Sequence, residues 1–144
     1  MAKNWKLHVQ LLMGVYWFDN ALQARLKKKG FKTLTRAKSL ILLNIAMGEH
    51  RAAQLATNLG VSRQAMSQML ASMKKRGLIT IKADETDKRA QIVTFSEQSQ
   101  DIRDAAMTIL AKLERELENR IGMRHVGALR KALEQDWGPP LLED

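Results

Sequence analysis

Arg63, Gln64, Ser67 and Gln68 stand at helical spacing in "SRQAMSQMLASMKKRGLI", and no acidic residue occurs between Glu49 and Asp84. These side chains suit hydrogen bonding better than bond-making chemistry. Gln pairs bidentately with adenine and Arg with guanine, while Ser and the nearby Ala71 allow close approach. An ordinary solvated helix face would carry Glu and Lys here, so this one reads as a surface for base edges. Ser72, Lys74, Lys75 and Arg76 follow. They fit phosphate neutralisation, or for the last three simply the end of a helix. Arg51 and Ser62, on the approaches to the same stretch, are further candidates for phosphate contact.

What must position these residues is a helix-turn-helix over Ala52 to Ala71. Leu55 and Leu59 face inward from its first helix, and Ala56 provides the small side chain needed where the two helices cross. Gly60 occupies the turn, where positive φ is cheap only for glycine. Val61 fills the corner, Ser62 caps the second helix, and Met66, Met69, Leu70 and Met73 form its buried stripe. A plain helical hairpin would explain the glycine and the stripe but not the missing acids. "LITIK" (78–82) and "QIVTF" (91–95) then read as short strands around the polar loop "ADETDKRA". Arg89 of this loop is expected to enter a flanking minor groove, with Lys88 beside it and Asp87 orienting it through a salt bridge. The plainer alternative is a solvated turn of mixed charge.

Long helices flank this lobe. Leu11, Val15, Phe18, Leu22 and Leu26 make one apolar stripe between Trp5 and Lys29, closed by three lysines and Gly30. Thr35 caps a second helix, Arg36 to Met47, whose apolar interior makes it central. Ser96 is expected to cap a long helix to about Arg120, with Ile102, Ala106, Ile109, Leu113 and Leu117 at heptad-like spacing. After Gly122 a last helix carries Val126, Leu129 and Leu133. These outer stripes need cover, and a second copy of the chain is the simplest source. The alternative is that they pack on each other within one subunit. The expected fold is mainly α with a small β-hairpin wing, as one domain over 1–144. Residues 31–96 form a winged helix-turn-helix lobe, and 1–30 and 97–144 supply dimerisation helices.

Charge points to the partner. The net formal charge is +9, and residues 1–38 hold nine Lys/Arg against one acid, Asp19. Residues 39–82 hold six against Glu49, while 83–144 are acidic overall. Acids facing phosphates would be repelled, so a polyanion, double-stranded DNA, is the economical explanation of this asymmetry. The absence of cysteine excludes disulfides, thiolate metal sites and a cysteine nucleophile. His8, His50 and His125 lack ligand spacing, so no metal or other cofactor is expected. The stretch "LHVQLLMGVYWF" imitates a signal peptide, but His8 and Gln10 interrupt it and its spacing is helical. No segment reaches the roughly 18 unbroken apolar residues of a membrane span. A cytoplasmic protein without a membrane partner is expected. A sequence-tolerant architectural DNA-binding protein is the competing class, although it would need only Lys and Arg. No nucleophile–base grouping or phosphate-cradling glycine loop argues for an enzyme.

The helix-turn-helix, "KKRGLI", the strands around "DETDKRAQIVTFSEQS" and the following long helix together resemble the MarR family of bacterial transcription regulators. Gly77-Leu78-Ile79 matches that family's Gly-Leu-Val/Ile, and Asp87 with Arg89 matches its Asp-x-Arg wing motif. "TFSEQS" departs from the usual Leu-Thr-Glu-x-Gly, with Phe95, Ser96 and Ser99 in place of Leu, Thr and Gly. The resemblance covers nearly the whole chain. It implies a homodimer on a pseudo-palindromic operator, usually a repressor released by a small ligand. Members that sense phenolic or aromatic acids hold them in a cleft between the dimer helices and the DNA-binding lobe. Five of the seven aromatics lie in the first 31 residues. His8, Tyr16, Trp17 and Arg36 would line such a cleft here; core packing and dimer contact are the simpler account of each.

Overall fold

In a computed structural model of the chain, which describes residues 4–143, the chain forms six α-helices and one two-stranded sheet. Residues 1–3 of the expected N-terminal dimerisation segment lie outside the described residues. The helices are α1 (Leu7–Lys28), α2 (Arg36–Ala46), α3 (Ala52–Leu59), α4 (Arg63–Lys75), α5 (Gln100–Ile121) and α6 (Met123–Leu133). Strands β1 (Ile79–Ala83) and β2 (Gln91–Phe95) pair antiparallel, with Ile81 opposite Val93. The expected fold class holds, with most helix ends displaced by a residue or two, α5 starting three residues after the expected position and β1 one residue late.

The signals that define these elements act locally. Thr35 Oγ1 accepts from the Lys38 amide and Ser62 Oγ from the Ala65 amide, so both expected caps form. Gly60 ends α3 at φ 67°, ψ 32°, the left-handed conformation that lets the chain turn sharply into α4. Ser96 behaves differently from expectation. A 3-10 turn, Glu97–Ser99, precedes α5, and the Ser96 side chain makes no cap. Its hydroxyl donates instead to the Gly77 carbonyl, while Ser99 Oγ donates to the Ser96 carbonyl at 2.7 Å. Ser96 therefore locks the end of β2 against the α4–β1 junction.

Two hydrophobic clusters result. Ile41, Ile45, Leu55, Ala56, Met66, Leu70, Met73, Ile79 and Val93 form the core of the lobe, each at most 3% exposed. Leu22 and Leu26 of α1 meet Ile109 and Leu113 of α5 in the second. Ile102 packs against both, so the lobe and the helical pair share a side chain at their junction. A burial of this kind stabilises by about 1.5–3 kcal/mol per large aliphatic side chain. The remaining stripe residues are less covered. Val15 on α1 and Leu129 and Leu133 on α6 are between 42% and 47% exposed, whereas Val126 is buried.

Candidate nucleic-acid interface

The groove between α4 and the hairpin encloses about 920 Å³. Arg63, Ser67, Ala71 and Lys74 line it from α4, and Lys82, Asp87, Lys88 and Arg89 face them from the wing. Arg51 and the first residues of α3 close one side. Six cations line this groove (Arg51, Arg63, Lys74, Lys82, Lys88 and Arg89) against one carboxylate, Asp87. An anionic rod laid along it would be attracted over its whole length.

The expected base-reading face is exposed throughout, with its buried stripe, Met66, Leu70 and Met73, on the opposite side of α4. The geometry divides the reading residues between two edges. Arg63 and Ser67 border the groove on the wing side, while Gln64 and Gln68 stand outside its lining. Unlike Gln23 and Gln54, whose amides bond to Asp19 and Asn58, Gln64 and Gln68 have no internal hydrogen bond among the described residues. Both amides remain free to pair.

Several expected contacts are spent elsewhere. Asp87 Oδ1 accepts the backbone N–H of Arg89 at 3.1 Å, so it shapes the turn and forms no salt bridge with the Arg89 guanidinium. The wing's ion pair among the described residues is Arg51–Asp84, at 2.7 Å. Thr86 donates both its N–H and its hydroxyl to Asp84, each at 3.0 Å. The Thr86 N–H, then the Thr86 hydroxyl and the Arg51 charge hold the Asp84 carboxyl below its ordinary 3.8. Val93 N–H donates to the His50 carbonyl at 2.7 Å, and Arg51 bridges to Ile92, which sets α3 beside β2. Ser72 is half-buried, and its Oγ accepts from Lys38 Nζ of α2 at 2.8 Å. The Arg76 guanidinium donates to the Thr33 and Lys32 carbonyls, both at 3.3 Å, so it ties α4 to the loop before α2. Lys74 and Lys75 are exposed at the end of α4.

Sequence reasoning missed Lys82, Asp84 and Lys38. Lys82 has a legible signal, since it continues the outward alternation of β1 after Thr80. Asp84 and Lys38 have none, because their partners lie 33 and 34 residues away.

The aromatic residues near the N-terminus occupy separate environments. Tyr16 lies under the Arg36 guanidinium, 4.1 Å from ring centroid to Cζ. Arg36 is also held by Asp19 at 3.2 Å and Asn20 at 2.6 Å. Trp17 packs edge-on against Phe18 at 4.9 Å, beside the α1–α5 cluster, and His8 is exposed at the start of α1. Tyr16 and Arg36 are thus together, and His8 and Trp17 apart from them. Among the described residues no helix is long and apolar enough to cross a membrane, and no three His, Cys, Asp or Glu side chains gather as a metal site.

The exposed face of α4, β1 with the wing loop, and all of the groove lining except Gln91 fall within residues 32–90, which match the MarR family model. That match spans 59 of the 144 residues. The whole chain has the winged-helix fold of that family's transcriptional regulators. Wild-type MarR from E. coli, in its apo form, is similar at 19% identity and TM-score 0.71, over 95% of this chain and 100% of that one. The transcriptional repressor CouR, bound to a 23-mer DNA duplex, is similar at 20% identity and TM-score 0.67, over 89% of each chain. A variant of MepR from S. aureus, bound to an oligodeoxyribonucleotide, is similar at 14% identity and TM-score 0.59, over 90% of this chain and 94% of that one. At these identities the likeness is one of fold. No curated protein matches the chain.

Proposed function

We propose that this MarR-type chain is a sequence-specific DNA-binding regulator that acts as a homodimer on a pseudo-palindromic operator, as a ligand-responsive repressor in the cytoplasm. The observation that carries the reading is the pairing of an uncommitted polar helix face with a cationic wing across one groove. Arg63, Gln64, Ser67 and Gln68 would contact base edges in the major groove, with Arg89 in the flanking minor groove and Asp87 and Lys88 shaping its approach. Lys74 and Lys75 would meet phosphates, as would Arg51 through the guanidinium N–H groups that Asp84 leaves free and Ser62 through its hydroxyl hydrogen; Ser72, already bonded to Lys38, would do so only by exchanging that partner.

The apolar surface left open on α1 and α6 supports the dimer, including Leu12, Met13 and Val15 on α1 and Leu129 and Leu133 on α6. Its effector, on this reading, is an aromatic acid that would displace Asp19 from Arg36 and lie against Tyr16. An architectural coating protein would need the cations of the groove but not Gln64 and Gln68. Hydroxyl-radical footprinting on a bound duplex tests the proposal. Two protected half-sites about one helical turn apart are expected. Uniform protection along any duplex would contradict it.

A further inference from the structure

A second basic recess lies at the elbow between α1 and α2, away from the α4–wing groove. It encloses about 430 Å³ and is lined by Lys27, Phe31, Lys32, Thr33 and Arg76. Three of these five residues are cations and none is acidic. No carboxylate pairs with Lys27, Lys32 or Arg76 among the described residues. The nearby chain offers none either: Asp19, the one acid before Glu49, is committed to Arg36 and Gln23.

Lysines scattered on a surface separate to lower their repulsion, but this group cannot do so entirely. Arg76 is half-buried, and its guanidinium is fixed by the Thr33 and Lys32 carbonyls. The carbonyls orient the group without neutralising it. Lys27 belongs to the last turn of α1, and Phe31 turns back through its N–H to the Leu26 carbonyl at 3.1 Å. Lys27 and Lys32 thus line the same recess as Arg76. The Thr33 hydroxyl adds a neutral donor. Three cations lining one recess, with the exposed Thr33 beside them, complement a tetrahedral dianion or a phosphodiester better than a planar carboxylate.

We propose that this elbow is a phosphate-binding site. Its phosphate comes either from the DNA backbone flanking the proposed operator half-site or from a free phosphate group. Only the first source rests on the DNA-binding reading above.

The test uses the full chain and a Lys27→Gln/Lys32→Gln variant, whose changes lie on exposed side chains. Inorganic phosphate is titrated against chloride at matched ionic strength while the Phe31 and Thr33 amide signals are followed. In parallel, duplex DNA affinity is measured across a salt series. A saturable, phosphate-selective shift that the variant loses is the expected result. A salt slope shallower by about 0.9 for each lysine lost then assigns the phosphate to DNA. Phosphate binding with an unchanged slope assigns it to a free ligand. Absence of both the phosphate-selective shift and the change in slope overturns the proposal. If the unaltered chain binds no DNA, the regulatory reading fails separately and the phosphate titration alone decides this site.

Discussion

The Arg51 guanidinium lies 2.7 Å from the Asp84 carboxylate, fastening the start of α3 to the base of the wing. Asp84 in turn accepts both donors of Thr86, so one carboxylate fixes the wing's position and its turn together. Arg89 is carried by this hairpin, five residues beyond Asp84. Asp84→Ala should leave the melting temperature nearly unchanged, because the Arg51 partner is exposed. Operator affinity should nevertheless fall severalfold, as the wing samples orientations that miss the DNA. Equal affinity of variant and parent by fluorescence anisotropy would show that the pair does not position the wing.

The same carboxylate defines a pH response. Its folded-state pKa is lowered, first by the Thr86 N–H, so ionised Asp84 favours the ordered wing. That contribution is fully present above the ordinary value of 3.8 and is lost as pH falls through the lowered folded value. The Thr86 amide signal should therefore titrate with a midpoint below 3.8, and a midpoint at or above it would contradict the assigned hydrogen bonds.

Arg89 and the glutamines should fail in different ways. Arg89→Ala is expected to weaken operator binding by roughly 1–3 kcal/mol with the fold intact. Gln64→Ala with Gln68→Ala should flatten sequence preference more than it reduces non-specific binding, because amides read bases while cations supply most of the general affinity. Binding to operator and scrambled duplexes separates the two effects. Preserved preference in the double variant would remove the glutamines from the reading face.

Gly77 joins α4 to β1 at φ 72°, and an added Cβ would collide with Gln98 Oε1. Gly77→Ala should cost at least about 1–2 kcal/mol from the backbone conformation alone. Combining it with Gln98→Ala should recover only the steric part. Full recovery in urea unfolding would show that the conformation itself is not strained.

Leu129→Glu with Leu133→Glu places charge on the open face of α6 without touching the buried Val126. If that face is the dimer contact, sedimentation should show a monomer, and operator affinity should fall with the loss of the second half-site. An unaltered dimer would move the contact elsewhere.

The parts of this molecule legible in its sequence are those set by local rules. Gly60, Ser62, Ala56 and the Met66–Leu70–Met73 stripe all act within a turn or two of helix, and they recover the helix-turn-helix. The two short strands follow from alternation and the polar loop between them. Contacts across the fold were not legible. Ser96 has the type and position of a helix cap, yet its hydroxyl donates to the Gly77 carbonyl, 19 residues away, and accepts no helix amide. Asp87 has the type to pair with Arg89 but is closer to that residue's backbone. Ser72 and Arg76 have the types of DNA contacts, yet packing of α4 against α2 and its preceding loop supplies them with internal partners. In each case the residue's chemistry was readable and its nearest partner was not.

Selection from random duplex DNA by the purified protein at physiological salt tests the central claim most directly. The account predicts enrichment of an inverted repeat, with half-sites about one helical turn apart and a preference over unrelated DNA of about 10³ or more. Recovery of DNA with no shared sequence would contradict it and leave a protein that binds phosphates without reading bases.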